Sequence, residues 1–282
     1  MKRNALAYPY IAIWLPIFII VPMIFIAYYA FFDNGHFTLE FVRNLKDAMY
    51  WKVLLRSAWL ALRATLICLL IGYPVAYMLS NMKKSVATML SIFCILPMWM
   101  NALLRTYAWK VLLADGGIFS VILGWFGLGD VQLLYTEGAV LLGTVYNFLP
   151  FMIMPIYTTL MKLDKSYLEA ARDLGANGIQ TFFKVVLPLS KSGVISGITM
   201  VLVPAMSTFA ISKLLGGANH ALLGDLIEQK FLLSSTGYGM GSILSLILLV
   251  LVFISTAIMR FVEKNTGEED KTSSINIFKD KK

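Results

Sequence analysis

The sequence predicts an all-α integral membrane protein with six transmembrane helices, and three observations predict it. Of 282 residues, 59% are hydrophobic and 14% charged, whereas soluble domains run roughly 45–50% and about 25%. The apolar residues come in blocks that match the roughly 20 residues a helix needs to cross a bilayer. The cations gather mainly between the blocks, as membrane topology requires. Because the blocks are continuous rather than alternating, they exclude a β-barrel. In lipid, each can satisfy its backbone hydrogen bonds only as a helix.

The first block, Tyr8 to Phe32, follows Lys2 and Arg3 and is punctuated by Pro9, Pro16 and Pro22. It exceeds the apolar region of about 7–15 residues in a cleaved signal peptide, so it reads as a retained span. The second block runs from Ser57 to Asn81 and the third from Val86 to Ala114. Gly116–Glu137 is too polar and glycine-rich to span and folds into turns around a short apolar helix. The fourth block covers Gly138 to Leu160, the fifth Val194 to Leu215, and the sixth Met240 to Val262. Beyond Arg260 the chain is charged and polar and predicts a mobile tail. The organisation is a first span with its outer loop (1–55), a five-helix core (56–264) carrying a loop at 162–189, and the tail (265–282).

The formal charge is +8. No basic–aromatic surface pattern accompanies it, which argues against nucleic acid as a partner. With the N-terminus in the cytoplasm, the inner segments hold Lys2, Arg3, Lys83, Lys84, Lys162, Lys165, Arg172, Lys184, Lys191, Arg260, Lys264, Lys271, Lys279, Lys281 and Lys282, fifteen of the 24 cations. Both termini are therefore expected inside. Cys68 and Cys94 lie within apolar blocks and read as small buried hydrophobes. His36 and His220 are too far apart in sequence to suggest a metal site.

The informative stretch lies between the fourth and fifth blocks. Ser166 and Glu169 have the spacing of a capping box that starts a helix. Ala170, Ala171 and Leu174 favour helix, and Gly175 suits a left-handed stop. A second short helix follows through Val186, with a new element at Pro188. Leu168, Ala171 and Leu174, three residues apart, predict a small smooth face open to a partner's groove. A plain connecting hairpin accounts for the local physics equally well.

Glu169-Ala170-Ala171, Gly175, Phe183 and Leu187-Pro188 resemble the EAA motif of binding-protein-dependent ABC importer permeases. Tyr73-Pro74-Val75-Ala76-Tyr77, Leu96-Pro97-Met98-Trp99, Arg105-Thr106-Tyr107-Ala108-Trp109, Pro204, Leu214-Leu215-Gly216-Gly217 and Gly224-Asp225-Leu226-Ile227 are similar to the spermidine/putrescine branch of that family, the PotB type. The resemblance implies the MetI-like architecture of type I ABC importers in a bacterial cytoplasmic membrane. It also implies a second homologous permease, two copies of a cytoplasmic ATPase and an external polyamine-binding protein as partners. Leu168, Glu169, Ala170, Ala171, Asp173 and Gly175 would then form the ATPase-coupling helix. The chain has no phosphate-cradling G-x-x-x-x-G-K-[ST] loop, so ATP and Mg are expected on the partner ATPases, with no cofactor or catalytic residue on this chain.

A cationic solute needs acceptors or aromatic faces along a watered cleft. The candidates are Trp99, Asn101, Tyr107, Trp109, Tyr146, Asn147, Ser207 and Thr208, with Asp115, Asp225 and Glu228 at the outer mouth. For the aromatics an interfacial belt is the plain alternative. Arg63, Arg105 and Lys110 oppose a simple cationic pore and read as interfacial or as contacts to the binding protein. Competing readings are a permease for another small solute, a stand-alone secondary carrier, and a membrane enzyme. The carrier predicts repeats with midplane acids and the enzyme a convergent polar constellation; the sequence displays neither.

Overall fold

The computed structural model describes residues 14, 16–33, 35–127, 131–233 and 238–279, with only the backbone described at 218, 233 and 263–279. The basic start and the first part of the first predicted span lie outside the described residues.

A π-type turn, Pro16–Ile20, leads into α1 (Val21–Phe31). A two-residue hairpin follows, β1 (Phe32–Asp33) antiparallel to β2 (His36–Phe37) with Phe32 opposite Phe37, then α2 (Glu40–Asn44). The second span is α3 (Ala48–Ser80), which starts nine residues before the predicted Ser57 because the Asp47 carboxylate caps it, accepting from the Met49 amide.

The third predicted span is interrupted. It divides into α4 (Lys84–Trp99) and α5 (Ala102–Leu113) around an extended Met100. Pro97 weakens the end of α4, and the Asn101 side chain accepts from the Leu103 amide, restarting the helix as an N-cap. Within the polar segment lies the expected short helix, α6 (Ile118–Trp125). The fourth span, α7 (Glu137–Leu160), is capped by the Thr136 hydroxyl.

The intervening hairpin comprises α8 (Lys165–Asp173) and α9 (Gly178–Thr181), the latter running through a π-type turn (Phe182–Val186) into α10 (Leu187–Leu189). The chain bends by 64° before α11 (Lys191–Ser207). The bend falls at Ser190, two residues beyond the element start predicted at Pro188. The fifth span is broken again at Thr208–Phe209 and resumes into a π-type turn, Ser212–Gly216. After α12 (Leu223–Leu233) comes α13 (Tyr238–Lys279). This last helix continues well past the predicted span end, where the sequence led to a mobile tail; Glu263, Lys264, Glu268 and Glu269 are helix-forming residues.

Among the described residues four helical segments are long and apolar enough to cross a membrane, Ala48–Ser80, Ala102–Trp125 (α5, a turn and α6), Glu137–Leu160 and Tyr238–Val262, and the bent pair Gly178–Leu189 with Lys191–Ser207 makes a fifth when counted as one span. Pro16–Phe31 and Lys84–Trp99 are shorter apolar helices. The second, fourth and sixth described spans overlap the predicted blocks and the fifth is broken, but in place of the predicted Val86–Ala114 the membrane-length segment is Ala102–Trp125, which runs into the stretch read as too polar to span.

The core lies where α3, α7 and α11 pack together. Cys68, Tyr73, Ala76 and Leu79 of α3 meet Met152, Ile153, Ile156 and Leu160 of α7, with Val201 of α11 and Val186 of the hairpin. Close approach depends on Gly197, where a Cβ would lie 2.7 Å from the Met152 sulfur and 3.2 Å from its carbonyl oxygen; small residues bring membrane helices together in this way. A second cluster at the opposite end joins Leu60, Leu113, Val140, Leu215 and Leu222. The outer surfaces carry large apolar side chains, such as Leu62, Leu66 and Leu70 along one stripe of α3 and Phe253, Ile254 and Ile258 on α13. An apolar exterior of this extent suits lipid rather than water.

Candidate functional site

The hairpin between the fourth and fifth spans is built by three local devices. The Asp164 carboxylate, not Ser166, caps α8 by accepting from the Ser166 amide at 3.0 Å, and that bond holds its carboxyl below the usual range. The capping box expected at Ser166 and Glu169 is therefore absent, and one occurs instead at α9, where Asn177 and Gln180 exchange bonds of 2.8 and 3.0 Å. Gly175 has φ of 77°. Around it the Ala176 amide reaches the Ala171 carbonyl and the Gly175 amide the Arg172 carbonyl, a Schellman stop.

The faces of the hairpin differ from the expectation. Ala171 is buried, and Leu168 packs against the central cluster. The second arm folds back under α8 and covers them, so two residues of the predicted three-residue face turn inward while the third, Leu174, does not. Glu169, Ala170, Asp173 and Gly175 remain exposed. The apolar residues that face out are Leu174 (88% exposed), Ile179 (71%) and Phe183 (60%).

Inward, the hairpin is locked to α3. The Phe182 ring meets Tyr73 and Tyr77 edge-on, with centroids 5.6 and 5.2 Å away. At the bend the Tyr73 hydroxyl and Ser190 Oγ lie 2.7 Å apart in a buried contact. Sequence reasoning missed this pair; Tyr73 belongs to the Tyr73–Tyr77 motif, but nothing in the sequence tied it to Ser190, 117 residues on.

The opposite end of the bundle holds two cavities. One, of about 360 Å³, is lined by Lys213, Asp225, Glu228 and Gln229 among others. Lys213 Nζ donates to both Glu228 oxygens at 3.0–3.1 Å. Asp225 accepts from the Leu222 amide at 2.7 Å, while its other oxygen is buried without a partner; burial pushes its pKa up, against lowering by the nearby Ser212 hydroxyl and the Leu222 amide. The second cavity, about 520 Å³, is largely apolar and is lined by Ser207, Phe209, Gly224, Glu228 and α13 residues including Leu248 and Phe253. Glu228 belongs to both.

Of the other candidates, Tyr146 and Trp109 form an edge-on pair at 5.3 Å, and the Arg105 guanidinium lies 6.0 Å from the Tyr146 ring centre. Arg105 is only 8% exposed, which corrects its reading as an interfacial contact. Arg63 pairs with Glu137 and lies over Trp59. Asn147 is buried and donates to the Gly143 carbonyl at 2.9 Å. Thr208 sits at the break in the fifth span. Trp99 (85% exposed) and Tyr107 (51%) point outward, and Asn101 serves as a cap; none of these three lines either cavity. The structure thus gathers Asp225 with Glu228 and Tyr146 with Trp109, but makes no single lined path of the predicted set.

Residues 68–268 match the family described as the binding-protein-dependent transport system inner membrane component. The chain belongs to this family. It is accordingly a multi-pass inner-membrane permease and not an enzyme. The permease is 41% identical over 228 residues to the spermidine/putrescine transport system permease protein PotB of Escherichia coli K12, covering 78% of this chain and 83% of that protein. It is 42% identical over 248 residues to the protein of the same name in Haemophilus influenzae, covering 85% and 86%. Among solved structures it resembles a bacterial ABC transporter involved in alginate import, with TM-score 0.74 at 18% identity over 93% of this chain and 97% of that one. It also resembles the inward-facing MetNI methionine ABC transporter, with TM-score 0.60 at 16% identity over 78% and 98%. These structures establish the fold.

Proposed function

We propose that this permease moves a polyamine, spermidine or putrescine, through an ABC importer, and that the 162–189 hairpin is the handle by which the ATPases drive it. The partners are a second homologous permease, two copies of a cytoplasmic ATPase that bind ATP and Mg, and an external polyamine-binding protein. Both termini and the hairpin face the cytoplasm.

The observation that carries the mechanism is the two-sided hairpin. Its outer side offers Glu169, Ala170, Asp173, Leu174, Ile179 and Phe183 to a partner, and its inner side is fastened to α3 through Phe182 and Ser190. Exposed apolar side chains on a capped helix suit a groove, and a rigid inner fastening transmits what the groove does. ATP-driven closure of the partners would rock the bundle between two access states. At the far end, Asp225 and Glu228 attract cations to the outer mouth. The polyamine assignment is supported by identity above 40% to permeases of that name.

The test is reconstitution of the chain with its ATPase, sister permease and binding protein in proteoliposomes. ATP-dependent uptake of labelled spermidine, competed by putrescine, is expected. Uptake of a different solute, with spermidine inert, would leave the permease reading intact and overturn the substrate. Purification of a transport-competent chain without any ATPase would favour a secondary carrier.

A further inference from the structure

We propose that the hairpin end of the bundle holds one anionic phospholipid, its headgroup in a lysine-lined pocket and its acyl chains in an adjoining apolar groove. The inference concerns no solute and does not depend on the polyamine assignment.

The pocket, about 350 Å³, is lined by Asn81 and Lys83 from the turn between α3 and α4, by Lys84 at the start of α4, and by Lys165 and Leu168 from the hairpin, among others. All three lysines are exposed. The ion pairs among the described residues are Arg63–Glu137 and Lys213–Glu228, so none of the three is matched by a carboxylate there. The start of α4 has no side-chain cap. The first helical bond at this end runs from the Ala87 amide to the Lys83 carbonyl, leaving the amides before it for an anion.

Next to this pocket is a groove of about 340 Å³ between α3 and α4, lined by Val75, Met78, Met82, Leu90, Phe93 and Cys94. Met82 lines both cavities, so the charged space and the hydrocarbon space adjoin at that side chain. That order matches a phospholipid entering from its own leaflet. A soluble phosphate would use the lysines and leave the groove empty. A zwitterionic lipid would fill the groove but bring no net charge to three unmatched cations. Basic pockets between membrane helices take anionic headgroups for this reason. With Leu168 in its wall, the headgroup bears on the inner face of α8.

The experiment uses the assembled importer in an equimolar mixture of chain-matched phosphatidylglycerol and phosphatidylcholine, with co-purified lipid read by native mass spectrometry. Phosphatidylglycerol should be enriched by at least about fivefold. The triple variant Lys83→Gln, Lys84→Gln, Lys165→Gln should lose the preference, and Cys94→Trp, which fills the groove, should reduce retention of both lipids. Millimolar inorganic phosphate should displace neither. Equal retention by the wild type, persistence of the preference in the triple variant, or displacement by phosphate alone would overturn the site. Photoactivatable phosphatidylglycerol on the unmodified complex gives a readout without variants: crosslinks should fall between Met82 and Phe93, and crosslinks confined elsewhere would also overturn it. Uptake and ATPase assembly are measured on the same preparations, so loss of the lipid site and loss of the transport reading are separable.

Discussion

Tyr73 and Ser190 meet hydroxyl to hydroxyl, 2.7 Å apart, at the point where the hairpin turns into the fifth span. Ser190 Oγ also donates to the Leu187 carbonyl at 3.1 Å. If that bond takes its one proton, the Tyr73 hydroxyl is the donor of the shared bond. The two ends of this contact are consequently unequal. Ser190→Ala strands a buried donor and should cost about 1–3 kcal/mol, whereas Tyr73→Phe leaves Ser190 satisfied and should cost about 0.5–1.5 kcal/mol. Thermal unfolding of the two variants in detergent checks the order; equal losses would contradict the assigned direction.

Leu174 and Ala171 separate docking from folding. Leu174→Asp changes a side chain that is 88% exposed, so the protein should fold normally while ATPase copurification and ATP-driven uptake fall by tenfold or more, on the order of the loss of one interface anchor. Ala171→Asp places a carboxylate in a buried position and should lower stability itself. A folded, fully coupled Leu174→Asp permease would remove this surface from the docking proposal.

Gly175 has φ of 77° and open space around its Cβ position. The penalty of a substitution there is conformational only. Gly175→Ala should cost roughly 1–2 kcal/mol, and Gly175→Asn less, since asparagine tolerates the left-handed region. Parallel unfolding curves for the two variants read the difference, and equal costs would point to a steric cause.

Asp225 carries a pH prediction. Burial raises its pKa above the unfolded value, so the folded state binds the proton more tightly. Its favourable contribution is fully present below the unfolded pKa and is lost as pH rises through the folded pKa. Asp225→Asn keeps an oxygen for the Leu222 amide and removes the ionisation. The variant should be more stable than wild type at neutral pH, with the gap closing toward pH 4. A gap that widens on acidification would mean that the ionised carboxylate is the stabilised form.

The membrane class and several of the spans were legible because hydropathy in lipid is a strong, local signal; Gly138–Leu160 as predicted became Glu137–Leu160, whereas the third span is displaced to Ala102–Trp125. Gly175 was legible for the same local reason. The breaks at Met100 and Thr208 were not, since Asn101 and Thr208 sit in apolar runs that read as continuous. The inward turn of Ala171 escaped because helical spacing defines a face but not what covers it; Phe182 and Leu168 reach the central cluster only once the second arm folds back. The Lys213–Glu228 pair spans 15 residues and a turn, a distance at which charge pattern gives no register.

The 64° elbow before Lys191 would let the second arm of the hairpin work as a crank if α3, to which it is fastened, moves with it. Gly178 to Leu189 form an arm of about 18 Å at helical rise, so a push of about 3 Å at its tip turns it through about 10°. If the elbow holds its angle, the same rotation carried along α11, about 26 Å long, swings its far end by roughly 4–5 Å. That end is the interruption at Thr208–Phe209, which borders the cavity shared by Ser207 and Glu228. On that geometry, and only if the hairpin is driven as proposed, a stroke of about 3 Å at one membrane face would become a displacement of roughly 4–5 Å at the other.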